Sequence, residues 1–214
     1  MRALIIGAGP AGLTAALVLR RFGWHVRVVE ESPRLRAEGF SVTVHERGQA
    51  VLQMLLDVPV SAKPVEMERG DLVRMLAHEV GDIDFGVSAE AVSHEGWDVV
   101  LGADGVDSPT RARLGLDGCR ATGHVLLFPT GGAWRVDEIR QIVLPGWGVG
   151  NVMLIGDAAA ACGATTGYGT TVALVMGYEV ATGLAQGLTL GEVEARLRPW
   201  VTKQQAAARR RLRA

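Results

Sequence analysis

The sequence predicts an α/β fold built on a mostly parallel sheet with helices packed against it. Short, continuous apolar runs such as "ALII" (residues 3–6) are typical of strands buried on both faces of a parallel sheet. This run is followed by a helical pattern and then by a second strand, all within the first 30 residues. With 214 residues, 48% of them hydrophobic, the chain is long enough to bury such a core. We therefore expect a single domain over residues 1–214.

The predicted strands and helices alternate along the chain. Buried strands are expected at 3–6, 25–30, 98–104 and 151–157, and helices at 10–22, 46–56, 70–79, 169–186 and 189–212. The last helix starts a C-terminal helical region, 189–214, with a capping box in which Thr189 is the N-cap and Glu192 lies three residues on. Residues 115–150 are rich in glycine and tryptophan, and "HVLLFP" and "EIRQIVLP" indicate short strands there.

Composition and charge exclude several classes of partner. The 22 basic and 23 acidic side chains give a net charge of -1, so no long-range attraction to nucleic acid or anionic membranes is expected. Nowhere do 18 consecutive apolar residues occur, and glycines interrupt the N-terminal apolar stretch, which argues against a membrane span or a signal peptide. We expect a cytoplasmic protein. Cys119 and Cys162 lack metal-ligand spacing and are predicted to be buried free thiols, and no metal site is expected.

The first candidate binding site is "GAGPAG", residues 7–12, which matches G-x-G-x-x-G between the first strand and the first helix. Gly7 permits a tight turn, Gly9 lets the backbone approach a pyrophosphate, and Gly12 lets the helix pack closely on the strand. Pro10 and Ala11 complete the motif at the start of the helix, where backbone amides bind anions. The alternative is a tight turn that needs glycine for packing alone.

Acidic and basic side chains follow the second strand. Glu30 ends this strand, where a carboxylate can accept hydrogen bonds from a ribose. Because a carboxylate repels a 2′-phosphate, NADP is disfavoured at this site, and FAD or NAD is expected. Glu31 and Arg36 are further candidates for cofactor binding. For Arg34 and Arg36, a solvated loop and a phosphate contact both remain open.

Two further motifs place an aspartate directly after a buried strand. In "LGADGVDSPTR", residues 101–111, Asp104 and Gly105 precede a helix, and in "LIGDAAAACG", residues 154–163, Asp157 follows Gly156. Either aspartate could instead cap the helix after it, since Asp is a favoured N-cap residue. The carboxyl ends of parallel strands share one edge of the sheet, which is where such sheets bind ligands. We therefore expect all three motifs to hold one cofactor.

Taken in this order, the three motifs resemble those of the FAD-dependent aromatic hydroxylases, the single-component flavoprotein monooxygenases of the para-hydroxybenzoate hydroxylase type. The resemblance covers residues 1–58, 66–116 and 137–212. It implies a Rossmann-like, glutathione-reductase-type FAD-binding sheet, FAD as the cofactor, NAD(P)H as a transient reductant, and an aromatic or polyketide-like small molecule as the substrate.

The resemblance also implies roles for individual residues. Glu30 would bind the adenosine ribose, Asp104 and Gly105 would border the diphosphate, and Asp157 would bind a ribityl hydroxyl. The remaining roles concern the flavin ring: Arg69, in "ERGDLVRML", would approach it, and the helix start at Gly167, Tyr168, Gly169 and Thr170 would face its pyrimidine end, where a positive helix end stabilises the reduced anion.

The chain departs from the family between the second and third motifs. The family has an antiparallel substrate sheet there, whereas only residues 114–150 remain here, and we expect a vestigial β region; an element near 85–97 is reduced to a short turn. Ala160 and Thr171 stand where the family often has histidine and asparagine, and "CGATT" (162–166) stands where proline is common. No acid–base catalyst is assigned, because the histidines are expected on the surface or partly packed: His45, His78, His94 and His124.

Three functions are compatible with these patterns. The first is an FAD-dependent oxidoreductase of the monooxygenase type that hydroxylates its substrate. The second is a minimal FAD-binding module with little or no hydroxylation, and the third is a small NAD-binding dehydrogenase that uses only the first motif and Glu30. We favour an FAD-binding core of the hydroxylase type and leave its catalysis open.

Overall fold

The computed structural model describes residues 1–36, 40–130, 133–163 and 166–211. The strands are β1 Arg2–Ile6, β2 His25–Glu30, β3 Ser41–Val44, β4 Val65–Glu68, β5 Asp84–Phe85, β6 Val99–Gly102, β7 Cys119–Thr130, β8 Ala133–Ile142, β9 Gly148–Val149 and β10 Val152–Leu154. The helices are α1 Pro10–Arg21, α2 Glu46–Leu56, α3 Arg69–Val80, α4 Pro109–Arg113, α5 Asp157–Ala160, α6 Tyr168–Ala185 and α7 Leu190–Arg211, with a 3-10 turn at Ala89–Ala91.

Six strands form the central sheet, in the order β5-β2-β1-β6-β10-β9. All neighbours in it are parallel except β9, which is antiparallel to β10. The first strand lies between β2 and β6, so the loops that follow these three strands meet at one edge. The predicted α/β fold with a mostly parallel sheet is therefore confirmed.

The central strands are apolar throughout because both faces of the sheet are covered. Ile5 belongs to the large core formed with the helices, whereas Leu4 and Ile6 belong to a smaller cluster on the other face. Helices α1 and α6 pack closely at Gly177, where a Cβ atom would lie 2.4 Å from the carbonyl oxygen of Ala11. Within the described ranges, every helix is too short or too polar to cross a membrane.

The predicted helices agree with the structure to within one or two residues, but two predicted strands are too long. Strand β6 ends at Gly102 and β10 at Leu154, whereas the apolar pattern extends them to 104 and 157. The ladder ends earlier because the chain turns there, with φ of 60° at Gly156. The residues after each strand consequently form loops at the carboxyl edge.

Residues 114–150 contain a two-stranded antiparallel hairpin, β7–β8, that is separate from the central sheet. Strand β7 extends beyond the predicted "HVLLFP" at both ends, whereas β8 starts before the predicted "EIRQIVLP" and ends three residues before its end. Residues 131–132 lie outside the described residues. Cys162 is buried as expected, but the expectation for Cys119 is wrong. Its strand pairs only with β8, and its side chain is left exposed.

Two buried amides join this hairpin to the C-terminal helix. Gln141 Nε2 donates to the carbonyl oxygens of Cys162 (2.6 Å) and Gln205 (3.0 Å). Gln205 Nε2 donates in turn to the carbonyl oxygens of Ile142 (2.6 Å) and Ala161 (3.2 Å). These bonds fix the base of the hairpin, α7 and the segment after α5 to one another.

The capping box at the start of α7 is confirmed. The backbone N–H of Thr189 donates to Glu192 Oε2 at 2.8 Å, and the N–H of Glu192 donates to Thr189 Oγ1 at 3.3 Å. The helix extends to Arg211; residues 212–214 of the predicted C-terminal region lie outside the described residues.

Candidate functional site

A cleft opens at the carboxyl ends of β1, β2 and β6. It contains about 710 Å³ of empty space, part of it open to solvent. The order of the strands brings together residues that are nearly 100 positions apart in the sequence. Eight of the predicted site residues line the cleft: Gly7, Gly9, Glu30, Glu31, Arg36, Arg69, Asp104 and Gly105.

The glycine-rich loop has two glycines that packing requires and one that faces open space. Gly7 has φ of +108°, and a Cβ atom there would lie 2.5 Å from the carbonyl oxygen of Ala103. A Cβ atom on Gly12 would lie 2.1 Å from the carbonyl oxygen of Gly7. A Cβ atom on Gly9, the N-cap of α1, would have no other atom within 4 Å. Because the first turn of α1 has no acidic residue and no side-chain cap, its positive end is left for a ligand.

Glu30 is fixed at the rim of this loop. Its Oε2 accepts a hydrogen bond from the N–H of Ala8 at 2.9 Å, and its Oε1 accepts one from the N–H of Ser32 at 3.0 Å. The side chain is 13% exposed, and Arg36 Nε lies 3.6 Å from Oε1. The carboxylate is therefore held in place with its remaining acceptor positions directed toward the cleft edge.

Asp104 stabilises the start of α4, as the capping alternative predicts. Its Oδ1 accepts a hydrogen bond from the hydroxyl of Ser108, and its Oδ2 accepts one from the N–H of Thr110 at 2.8 Å. Arg111 then connects this motif to the third one, because Nη1 donates to the carbonyl oxygen of Ala158 at 3.1 Å. Gly105 has φ of +85° and open space in front of it. A capping role and a place in the cleft are thus combined in one motif.

Arg69 and Asp157 interact at the flavin-side end that the resemblance implies. Arg69 is the first residue of α3, and burial lowers the pKa of its guanidinium while attraction to Asp157 opposes this. Asp157 is solvent-accessible, but protein atoms surround it on several sides. This surrounding raises the pKa of its carboxyl, and Arg69 opposes the shift.

In the described part of the chain, the Asp157 carboxylate does not cap helix α5. Gly156 is the N-cap of α5, and Asp157 follows it as the first helical residue. A Cβ atom on Gly156 would lie 2.7 Å from Ala11 Cβ, so this turn packs directly on α1. Asp157 is therefore positioned beside the glycine-rich loop. It is not among the residues that line the cleft, and neither are the other predicted residues of these two motifs: Pro10, Ala11, Gly12 and Gly156.

Replacing Asp157 by asparagine is expected to stabilise the flavin-free chain slightly at neutral pH. The pKa of the Asp157 carboxyl is higher in the folded chain than its ordinary value of 3.8. The protonated carboxyl therefore favours the folded state at low pH, and this stabilisation is lost as pH rises through the raised pKa. The melting temperature of this variant should lie above that of the wild type at pH 7, and the difference should vanish near pH 3. The exposed Asp82 offers a control, since Asp82→Asn should show no such trend. A lower melting temperature for Asp157→Asn at pH 7 would contradict the cause assigned to the shift.

The predicted residues Gly167, Tyr168, Gly169 and Thr170 lie at the start of α6, outside the lining of the cleft. Gly167 is the N-cap, with φ of 66°, and no acidic residue or side-chain cap occupies the first turn. His45, expected on the surface or partly packed, lies against this turn: its ring stacks on that of Tyr168 with centroids 3.7 Å apart. Sequence patterns gave no sign of this contact, because the preceding strand β3 is short and was not predicted.

Several apolar residues of the cleft were also missed by sequence reasoning: Leu35, Val73, Val87, Ala89 and Pro109. The segment predicted as a shortened turn contributes two of them. The N–H of Val87 donates to the carbonyl oxygen of Glu30 at 3.0 Å, which brings β5 and the 3-10 turn against the cleft. No periodic pattern distinguishes such wall residues from ordinary core positions.

The described residues contain no cluster of three or more His, Cys, Asp or Glu side chains that could hold a metal ion. Cys162 is also unsuited to nucleophilic chemistry. Burial, with a smaller effect from Asp157, raises the pKa of its thiol to about 12. At neutral pH the group therefore remains a thiol.

Sequence comparison relates the chain to flavoproteins. A family model described as an FAD binding domain matches residues 1–93. The flavin-dependent monooxygenase eupH of Phoma sp. is 29% identical over 172 residues, covering 53% of this chain and 40% of that protein. The probable 2-heptyl-3-hydroxy-4(1H)-quinolone synthase AqdB2 of Rhodococcus erythropolis is 41% identical over 46 residues, which are 22% of this chain and 12% of that protein. The matches thus span less than half of the length of these relatives.

Structural comparison identifies the fold. The tetrameric form of 2-methyl-3-hydroxypyridine-5-carboxylic acid oxygenase superposes with a TM-score of 0.83 at 22% identity, covering 97% of this chain and 90% of that one. Tetracycline destructase Tet(55) gives 0.83 at 19% identity, covering 97% and 88%, and CtdE in complex with FAD gives 0.83 at 16%, covering 100% and 94%. The family model for an FAD binding domain thus matches less than half of the chain, and the whole chain shares the fold of these three structures.

Proposed function

We propose that the chain is an FAD-dependent oxidoreductase that holds FAD in the cleft. The observation that carries this proposal is the pairing of a bare helix start at Gly9 with the fixed carboxylate of Glu30 on neighbouring strands. The helix start suits a diphosphate, and a carboxylate at the end of the neighbouring strand suits a ribose diol. Arg36 and Glu31 extend the same wall toward the adenosine end.

The flavin end of the cofactor would lie toward the third motif. Asp157 offers a carboxylate that no described residue occupies, which suits a ribityl hydroxyl, and Arg69 offers a cation beside it. The first turn of α6 would face the pyrimidine edge, where its positive end favours the reduced, anionic flavin. Gly105 leaves open space for the diphosphate next to Asp104.

We further propose that NAD(P)H is the reductant and that oxygen is the electron acceptor. Bound FAD would supply the chemistry that passes two electrons from one to the other. When no substrate intercepts them, oxygen takes up the two electrons and two protons and is released as hydrogen peroxide. Hydroxylation requires that water be excluded from the reacting flavin. Between Asp104 and Asp157 the described chain has α4, β9, β10 and the β7–β8 hairpin, and the two-stranded hairpin is the one sheet there that is separate from the central sheet and available as such a cover.

We therefore expect NAD(P)H oxidation by the purified chain to yield mainly hydrogen peroxide, with little product from aromatic or polyketide-like small molecules. The purified protein should show the visible absorption of bound flavin, or gain it when FAD is added. NAD(P)H consumption, peroxide and hydroxylated product should then be measured in one reaction.

Each result of that experiment distinguishes one function. Product formation that matches NAD(P)H consumption would identify a hydroxylase and contradict the peroxide prediction. Bound flavin that NAD(P)H does not reduce would identify a binding module. A colourless chain that takes up no FAD would overturn the proposal, and saturable NAD binding by such a chain would support the dehydrogenase.

A further inference from the structure

Two helices begin side by side next to the third motif. His45 is the N-cap of α2, and Gly167 is the N-cap of α6. Thr171, which is fully buried, joins them: its Oγ1 accepts a hydrogen bond from the backbone N–H of His45 at 2.9 Å. A Cβ atom on Gly48 would lie 3.2 Å from the same oxygen, so the two helices are in close contact. The backbone of His45 is therefore fixed relative to the first turn of α6.

The imidazole of His45 is fixed as well. It stacks on the ring of Tyr168 with centroids 3.7 Å apart and an interplanar angle of 7°. Its Nε2 points toward the N-cap of α6, since a Cβ atom on Gly167 would lie 3.7 Å from it. Both the position and the plane of the ring are thus determined by neighbours on α6.

The Nε2 atom of His45 is shielded from solvent, and no described residue forms a hydrogen bond with it. A shielded polar atom without a partner is unfavourable and is rare in folded proteins. Here it lies beside a helix start that has no side-chain cap and no acidic residue in its first turn. Both features are explained if a polar ligand atom lies between them.

We propose that His45 contacts the bound cofactor, with Nε2 forming a hydrogen bond to the polar pyrimidine edge of the flavin. Tyr168 acts as a positioning residue that holds the imidazole in the required plane. This inference rests on the proposed function, because it requires FAD in the cleft with its ring at the start of α6. It assigns a role to a residue that sequence patterns left on the surface or partly packed.

The test compares FAD binding by the wild type and by His45→Phe, which keeps a planar ring for stacking and removes both nitrogens. Losing one hydrogen bond should weaken FAD binding by about five- to tenfold. His45→Gln, whose amide can reach the position of Nε2, should recover part of the affinity. The exposed His78 on α3 gives the matched control, and His78→Phe should bind FAD like the wild type. Dissociation constants are measured from the quenching of flavin fluorescence.

A second measurement separates cofactor contact from a structural role. Because His45→Phe removes an unpaired nitrogen, the flavin-free variant should melt at the same temperature as the flavin-free wild type or above it. The flavin in this variant should also have a lower midpoint potential, since the lost bond favours the reduced anion. The inference would be overturned, and the proposed function left standing, if His45→Phe bound FAD like the wild type. The same holds if the variant lost affinity only because it was unfolded. Absence of FAD binding by the wild type would overturn the proposed function together with it.

Discussion

Replacing Gly12 by alanine is expected to destabilise the chain by about 3 kcal/mol, a large effect for one added methyl group. The new Cβ atom would lie 2.1 Å from the carbonyl oxygen of Gly7 and 3.1 Å from the Cβ atom of Ala103. The first of these is a backbone atom in a loop held between β1 and α1, so it cannot rotate away. The melting temperature of the flavin-free chain, followed by circular dichroism, should fall by about 6–12 °C.

Gly9→Ala is the matched control in the same loop. Its Cβ atom would meet nothing within 4 Å, and φ of −83° is accessible to alanine. Alanine is a poorer N-cap than glycine, so a smaller fall of about 2–4 °C is expected. FAD affinity should nevertheless decrease by about tenfold or more, because the methyl group occupies the space proposed for the diphosphate. Equal losses of stability in the two variants would contradict this assignment of packing to Gly12 and ligand access to Gly9.

Glu30→Gln is expected to weaken FAD binding by about 100-fold, which corresponds to the loss of charge-assisted hydrogen bonds to a ribose. The side chain keeps its size, but its NH₂ group would face the N–H of Ala8 or of Ser32, which now donate to the two carboxylate oxygens. One donor in the loop thus loses its acceptor. Isothermal titration of the flavin-free chain with FAD measures the change.

The control for this substitution is Glu79→Gln, an exposed glutamate near the far end of α3, roughly 15 Å along the helix from Arg69. It should bind FAD with wild-type affinity. If Glu30→Gln also binds FAD normally, the adenosine end of the cofactor does not lie at Glu30 and the proposed orientation in the cleft is wrong.

The strongly periodic parts of the fold were predictable from sequence, and the irregular parts were not. The spacing of apolar residues predicts helices α1 and α6. The capping box at Thr189 is predicted from local sequence alone, without tertiary information. Strands β3 and β4, which pair only with each other, were missed, and so was β5, which has two residues. Such short strands are defined by the neighbour they pair with, which the sequence does not show.

The site divides in the same way. Gly7 and Gly12 were assigned correctly because a known loop geometry dictates glycine there, and the structure shows the contacts that exclude a Cβ atom. Asp104 has a capping role in addition to its place in the cleft, and a favoured N-cap residue does not reveal which role applies until its partners are seen. His45 is partly buried, within the expectation of a surface or partly packed histidine, but its contact with Tyr168 was not predictable because it joins residues more than 120 positions apart.

The hydrogen bonds of the buried Gln141 and Gln205 amides have a consequence for the order of events during synthesis. The two residues are 64 positions apart, so the hairpin leaves the ribosome well before its partner helix is made. Until α7 docks, the amide groups of Gln141 and the carbonyl oxygens of Ala161 and Cys162 must remain hydrated. The segment following Asp157 therefore acquires its final hydrogen bonds only when α7, the last helix to be synthesised, has docked.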